Sequence, residues 1–207
     1  PMLSFAVRHL HCSAGIVISA SHNTKEYNGI KCYGPDGGQM TEIPAAKVSA
    51  AIETIDLFEP EHLRFEEALE KGLVTYIPDS VWQDYYARIS REAIYREDVK
   101  KAALRVVYSP LCGAGGEPVS EMLTRLGAEL HIPESQRLPS GEFASCPTPN
   151  PETDSAFDEN YKLAAQCRPD IILATDPDSD RIAAAIPVGG GFRKLSGNEM
   201  GCLLLDY

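Results

Sequence analysis

Residues 170–181 read DIILATDPDSDR. An apolar, β-branched run passes without a break into a polar loop that carries Asp176, Asp178 and Asp180 at alternate positions. Residues 170–174 predict a strand, and a strand buried on both faces reads as continuous apolar sequence. Working outward, residues 105–108 predict another strand. Val119, Met122, Leu123 and Leu126 mark the buried side of a helix closed by Gly127, and residues 129–132 predict a further strand. A proline-rich loop over 133–151, holding CPTPNP, and a helix near 161–167 lead back to residue 170. Downstream, a hairpin over 182–195 turns at Gly189, Gly190 and Gly191, and Ser196 with Glu199 predicts a capping box for a terminal helix. Strands alternating with helices predict an α/β unit on a parallel or mostly parallel sheet. Ligands of such sheets gather at the carboxyl ends of strands, and Asp176 follows one directly.

The first region centres on residues 15–29, GIVISASHNTKEYNG, a β-branched strand that runs into a polar turn carrying Ser21, His22 and Asn23. A helix is expected over 3–12, strands over 15–19 and 29–33, and a turn over 34–38. Val48, Ala51, Ile52 and Ile55 predict the buried stripe of a helix, and residues 57–76 a short helix and a strand. A bridging helix follows, with Asp79 as N-cap and Trp82, Tyr85, Tyr86 and Ile89 on one side. The amphipathic turn at residue 1 and the apolar end GCLLLDY lead to the expectation of an excised fragment of a longer chain.

A chain of 207 residues with 43% hydrophobic content can bury one good core or two modest ones. Its net charge of -11, with 19 basic against 30 acidic residues, argues against nucleic acid as the main partner. No apolar run approaches the roughly 20 residues of a membrane span, and no signal peptide opens the chain, so the expected partners exclude the membrane and the expected location is cytoplasmic. The six cysteines form no CxxC pair and read as buried free thiols.

Each motif has a plainer alternative. Three carboxylates this close repel one another unless a cation sits among them, but a solvated acidic turn would look the same in isolation. A calcium loop of the D-x-[DN]-x-[DN]-G type fails at Arg181, where its glycine belongs, and at Pro187, where its last glutamate belongs. Arg181 instead sets a fixed cation beside the trio, which suits phosphate. A hydrolase elbow is excluded, since Ser19 and Asn23 occupy the glycine positions of GxSxG. Ser21 could be an ordinary turn serine, and His22, adjacent to it in an extended turn, is poorly placed as its direct base. Gly113, Gly115 and Gly116 resemble a dinucleotide fingerprint only faintly, because Pro118 stands where its third glycine belongs, and they are assigned to a tight strand-to-helix turn. Serine loop and acidic loop together point to metal-assisted phosphoryl transfer.

The segment SASHNTKEYNGIKCYGPDGGQ resembles the phosphoserine loop of the α-D-phosphohexomutase superfamily, and DPDSDR resembles its magnesium loop. SPLCGAGGEPV, CPTPNPE and SGNEMGCLLLDY are similar to the phosphoglucomutase branch. The resemblance covers nearly the whole chain, with one departure at Thr24, where the family usually has proline. It implies two mixed α/β units of phosphoglucomutase type, the first incomplete, over residues 1–77 and 78–207. It implies that Ser21 carries a phosphoryl group and that Mg²⁺ is held by Asp176, Asp178, Asp180 and a phosphoserine oxygen on Ser21. By the same resemblance Lys31 would take or give the hydroxyl proton, its plain alternative being a surface strand lysine. The resemblance also implies that His22 counts with the catalytic set, that Asn23 contacts phosphate and that Arg181 orients phosphoryl oxygens. The implied activity interconverts hexose 1-phosphate and hexose 6-phosphate, glucose foremost, through a sugar 1,6-bisphosphate. A pentose phosphomutase and a non-catalytic sugar-phosphate binder stay open as alternatives. The fragment itself is expected to be inactive and to self-associate through its incomplete sheet.

Overall fold

A computed structural model describes residues 1–56, 58 and 62–207. The chain divides into two compact units, one of residues 1–17 and 31–92, the other of residues 18–30 and 93–207.

In the first unit, α1 (Met2–His9) precedes β1 (Gly15–Ile18), whose partner is β2 (Ile30–Tyr33). Then come α2 (Glu42–Ile52), α3 (Phe65–Glu70) and α4 (Asp79–Glu92). Its small core is α1 against α4: Ala6, Val7, Val81 and Tyr86 are buried, and the Phe5 ring meets Tyr85 edge-on at 5.4 Å. Several expectations need correction here. The stripe of α2 is not buried, and Ile52 and Ile55 are 49% and 53% exposed, because a two-stranded sheet has too little face to cover a helix. Asp79 is the first residue of α4 rather than its cap, and its carboxylate accepts from the Gln83 side chain at 3.2 Å. The helix expected after residue 57 is α3, and the described residues 71–76 form no strand; Leu57 itself lies outside the described residues.

The second unit continues with α5 (Arg96–Ala102), which the sequence pattern did not reveal, and β3 (Arg105–Ser109), α6 (Gly116–Arg125) and β4 (Glu129–His131). After the proline-rich loop come α7 (Asp158–Cys167), β5 (Ile171–Thr175), β6 (Ile182–Val188), β7 (Gly191–Lys194) and α8 (Gly197–Asp206). The sheet runs β4-β3-β5-β6-β7. It is mixed rather than mostly parallel: β3 pairs parallel with β4 and β5, while β5–β6 and β6–β7 are antiparallel. A short loop and a two-glycine turn, unlike a helical crossover, can only return the chain antiparallel.

Residues 106–109 are buried throughout, as the apolar run requires, with Val107 opposite Ile172. The core joins Val107, Ile172, Ala174 and Ala185 of the sheet to Phe157 and Ala164. Gly127, at φ +86°, ends α6: its N–H donates to Thr124 O at 2.9 Å and the Ala128 N–H to Leu123 O at 3.1 Å, a Schellman pair. The capping box at Ser196 and Glu199 is present. All six cysteines are free, but only Cys112 and Cys146 are buried, and Cys202 is exposed. Among the described residues no helix is long and apolar enough to cross a membrane.

Candidate functional site

The serine loop packs within the second unit. After β1 the chain reverses, with the Asn23 N–H donating to Ala20 O at 3.2 Å and the Tyr27 N–H to Thr24 O at 3.1 Å. The Thr24 carbonyl, which accepts that Tyr27 bond, closes the turn. Ser21 adopts φ +56°, a left-handed conformation uncommon for a residue with a Cβ. Its hydroxyl donates to Asp176 Oδ2 at 3.0 Å and to Asp178 Oδ1 at 3.3 Å, one proton shared between two carboxylates.

The acidic loop is mounted differently. It leaves β5, and Asp176 is fully buried at the strand end. The Arg181 N–H donates to Asp176 Oδ1 at 3.0 Å, the Asp176 N–H to Arg181 O at 3.3 Å, and the Ser179 N–H to Asp176 O at 2.9 Å, with Ser179 at φ +57°. Burial pushes the Asp176 carboxyl up to about 6; the Arg181 N–H opposes that shift and the Asp178 charge adds to it.

Behind the loop the glycines of the 113–116 turn leave room that no side chain could share. A Cβ on Gly113 would lie 2.2 Å from Pro177 Cα, and one on Gly115 would meet Ser179 Oγ and, at 2.7 Å, Tyr108 Oη. The Ala114 N–H donates to Pro177 O at 2.8 Å. Tyr108 Oη pairs with Thr175 Oγ1 at 2.9 Å, and burial pushes the phenol up to about 12, so it stays a neutral strut. The turn read from the sequence as merely tight is therefore the backing of the acidic loop.

One oxygen from each of Asp176, Asp178 and Asp180 lies within 4.8 Å of the others, in order buried, half-buried and exposed. An all-oxygen, anionic set open on one side fits a hard divalent cation that keeps some of its waters, such as Mg²⁺.

The structure thus brings Ser21, His22, Asp176 and Asp178 together and sets Asp180 in the same cluster. His22 Nδ1 lies 3.4 Å from Ser21 Oγ, a correction to the expectation that the two side chains point apart. The left-handed turn at Ser21 swings them to one side. Asn23 is exposed on the loop. Arg181 contributes its backbone N–H, whereas its guanidinium is exposed and stands 3.8 Å from the Glu152 carboxylate. Lys31 sits partly buried on β2, in the other unit, and its role rests on the resemblance alone. Sequence reasoning missed Ser19, whose hydroxyl accepts the Ser21 N–H at 2.8 Å and donates to Asp178 Oδ2 at 3.1 Å. A serine two residues before a left-handed turn was the available signal.

A mixed sheet thus carries an acidic loop at a strand end, facing a serine, and the chain belongs to the phosphoglucomutase/phosphomannomutase family. Residues 1–59 match the family's α/β/α domain I and residues 83–189 its α/β/α domain II. Phosphoglucomutase of Staphylococcus aureus is 38% identical over 212 residues, covering 100% of this chain and 37% of that protein. The chain thus spans about 37% of the length of the curated relatives it matches. Among solved structures, a putative phosphomannomutase from Thermus thermophilus superimposes with a TM-score of 0.68 at 24% identity, over 93% of this chain and 40% of that one. An N-acetylphosphoglucosamine mutase variant of Aspergillus fumigatus in complex with glucose 1,6-bisphosphate gives 0.50 at 16% identity, over 99% and 50%.

Proposed function

We propose that this chain is the phosphoserine and metal-loop portion of a phosphosugar mutase that interconverts hexose 1-phosphate and hexose 6-phosphate, with glucose as the sugar. The observation that supports it most is the Ser21 hydroxyl at 3.0 Å and 3.3 Å from two carboxylates of a metal-type cluster. A serine hydroxyl placed between two carboxylates of such a cluster is where a phosphoryl group on that serine would share a bound cation with the acids.

In this proposal Ser21 gives its phosphoryl group to one sugar hydroxyl and recovers the other from the resulting 1,6-bisphosphate. Asp176, Asp178 and Asp180 hold Mg²⁺, which when bound neutralises charge on the phosphoryl group in transfer. Asp176, fixed by the Arg181 N–H, anchors the set. His22 Nδ1 contacts the Ser21 oxygen. Lys31 moves the hydroxyl proton, and Asn23 and the Arg181 guanidinium meet phosphate oxygens. The family domains divide at 77/78, the protein works in the cytoplasm, and the chain in isolation self-associates through the exposed strands carrying Ile16 and Ile30.

Mass spectrometry of full-length protein incubated with glucose 1,6-bisphosphate tests this. The expected result is a single phosphoryl group on Ser21. Absence of phosphate there, or phosphate only on Ser19, would overturn the assignment. Residues 1–207 alone should show no mutase turnover, since positioning of the sugar is worth up to roughly 7–11 kcal/mol and needs groups outside this chain.

A further inference from the structure

The link between the serine loop and the acidic loop rests on two hydroxyls of unequal durability. Ser21 Oγ donates one proton to Asp176 and Asp178. The Ser19 hydroxyl has one proton and two lone pairs; a lone pair takes the Ser21 N–H at 2.8 Å, which directs the proton to Asp178 Oδ2 at 3.1 Å. Asp178 is therefore held by a hydroxyl at each oxygen. The other side-chain tie from the loop, Lys25 to Glu142 at 2.9 Å, is exposed at both ends and holds little.

Phosphorylation treats the two hydroxyls differently. When Ser21 takes a phosphoryl group from a sugar bisphosphate, its O–H bond breaks and an O–P bond forms. The donor's P–O bond breaks, and the sugar oxygen leaves with the proton. Ser21 then has no proton to donate, and both of its bonds to the carboxylates are lost. The Ser19 bonds survive, since neither uses an atom that reacts.

We propose that Ser19 is a positioning residue, the tether that keeps the Ser21 amide and the Asp178 carboxylate in register in both covalent states. This rests on the functional assignment of Ser21 given above. It predicts that Ser19 matters most in the phosphorylated protein, where the Ser21 hydroxyl no longer donates to Asp178 and the Ser19 hydroxyl still does.

The test uses full-length protein with Ser19→Ala, Ser19→Thr and Ser19→Val, reading amide exchange at Ser21 and Mn²⁺ affinity before and after phosphorylation by glucose 1,6-bisphosphate. Ser19→Ala should speed Ser21 amide exchange about tenfold in either state, and weaken Mn²⁺ binding about tenfold in the phosphorylated state, with a smaller effect before it. Ser19→Thr, which keeps the hydroxyl, should restore both. If the alanine variant fails to fold, threonine against the similarly shaped valine isolates the hydroxyl. Exchange unchanged in Ser19→Ala, or threonine and valine behaving alike, overturns the proposal. If the wild-type protein accepts no phosphoryl group, the functional assignment fails. The tether is then decided by exchange in the unmodified protein, where loss of Ser21 protection supports it and no change refutes it.

Discussion

The serine loop and the acidic loop meet at Ser21, yet they are held in opposite ways. The acidic loop grows from a buried central strand, is pinned by paired backbone bonds between Asp176 and Arg181, and is backed by the 113–116 turn and the Tyr108 phenol. The serine loop is largely exposed over residues 23–28 and is fixed to its surroundings mainly by hydroxyls donated to the acids. Both contain a serine in the left-handed region, Ser21 at +56° and Ser179 at +57°. One is braced by protein and the other by charge. The acidic side of the site is built in advance, whereas the serine side depends on the anions it faces.

Removing the nucleophile breaks this relation most completely. Ser21→Ala should abolish phosphoryl acceptance and lower mutase turnover of the full-length protein by at least about 10⁴-fold, measured by a coupled assay, while leaving the acidic loop folded. Removing an acid strikes both loops at once. Asp178→Asn should weaken Mg²⁺ binding and slow phosphoryl transfer about 10²-fold or more, and magnesium dependence unchanged from wild type would make the loop merely structural.

Disturbing the brace separates stability from chemistry. Gly113→Ala places a Cβ against Pro177 backbone and should cost about 3 kcal/mol in urea unfolding, since the contact is with main chain rather than a flexible side-chain end. An equivalent stability in the variant would mean that the turn does not press on the acidic loop.

The smallest effect is in pH. Burial raises the Asp176 carboxyl from 3.8 to about 6, so the folded chain binds that proton more tightly than the unfolded chain. Stability of the metal-free chain should therefore be favoured below about pH 4 by this group and fall as pH rises toward 6, by no more than about 3 kcal/mol. Asp176→Asn should flatten that slope in denaturation curves taken below and above the window.

Much of this was legible in the chain. The apolar runs at 105–108 and 170–174, the glycine stop at 127, the hairpin glycines and the capping box announce themselves locally, because each depends on neighbours a few residues away. The serine and the three aspartates were legible as chemistry. What misled were properties that depend on distant partners. The α2 stripe has helical spacing, but whether Ile52 is covered is decided by what lies opposite. Likewise His22 was judged from an extended turn, and the left-handed φ that brings it to Ser21 is set by the Ser19 hydroxyl and the acids across the site.

The sequence by itself determined which residues are candidates for carrying phosphate and metal and where most strands and helices lie, since composition and short-range periodicity encode both. Only the tertiary structure decided that Ser21 lies 3.0 Å from an aspartate 155 positions away. It also decided that Gly113 and Gly115 shape the acidic loop and that Ser19 bridges the Ser21 amide and Asp178. Those are contacts between segments far apart in the chain. They are selected by packing around the buried sheet, where the available space and the unmet hydrogen bonds leave one arrangement, and neither is written into any local run of residues.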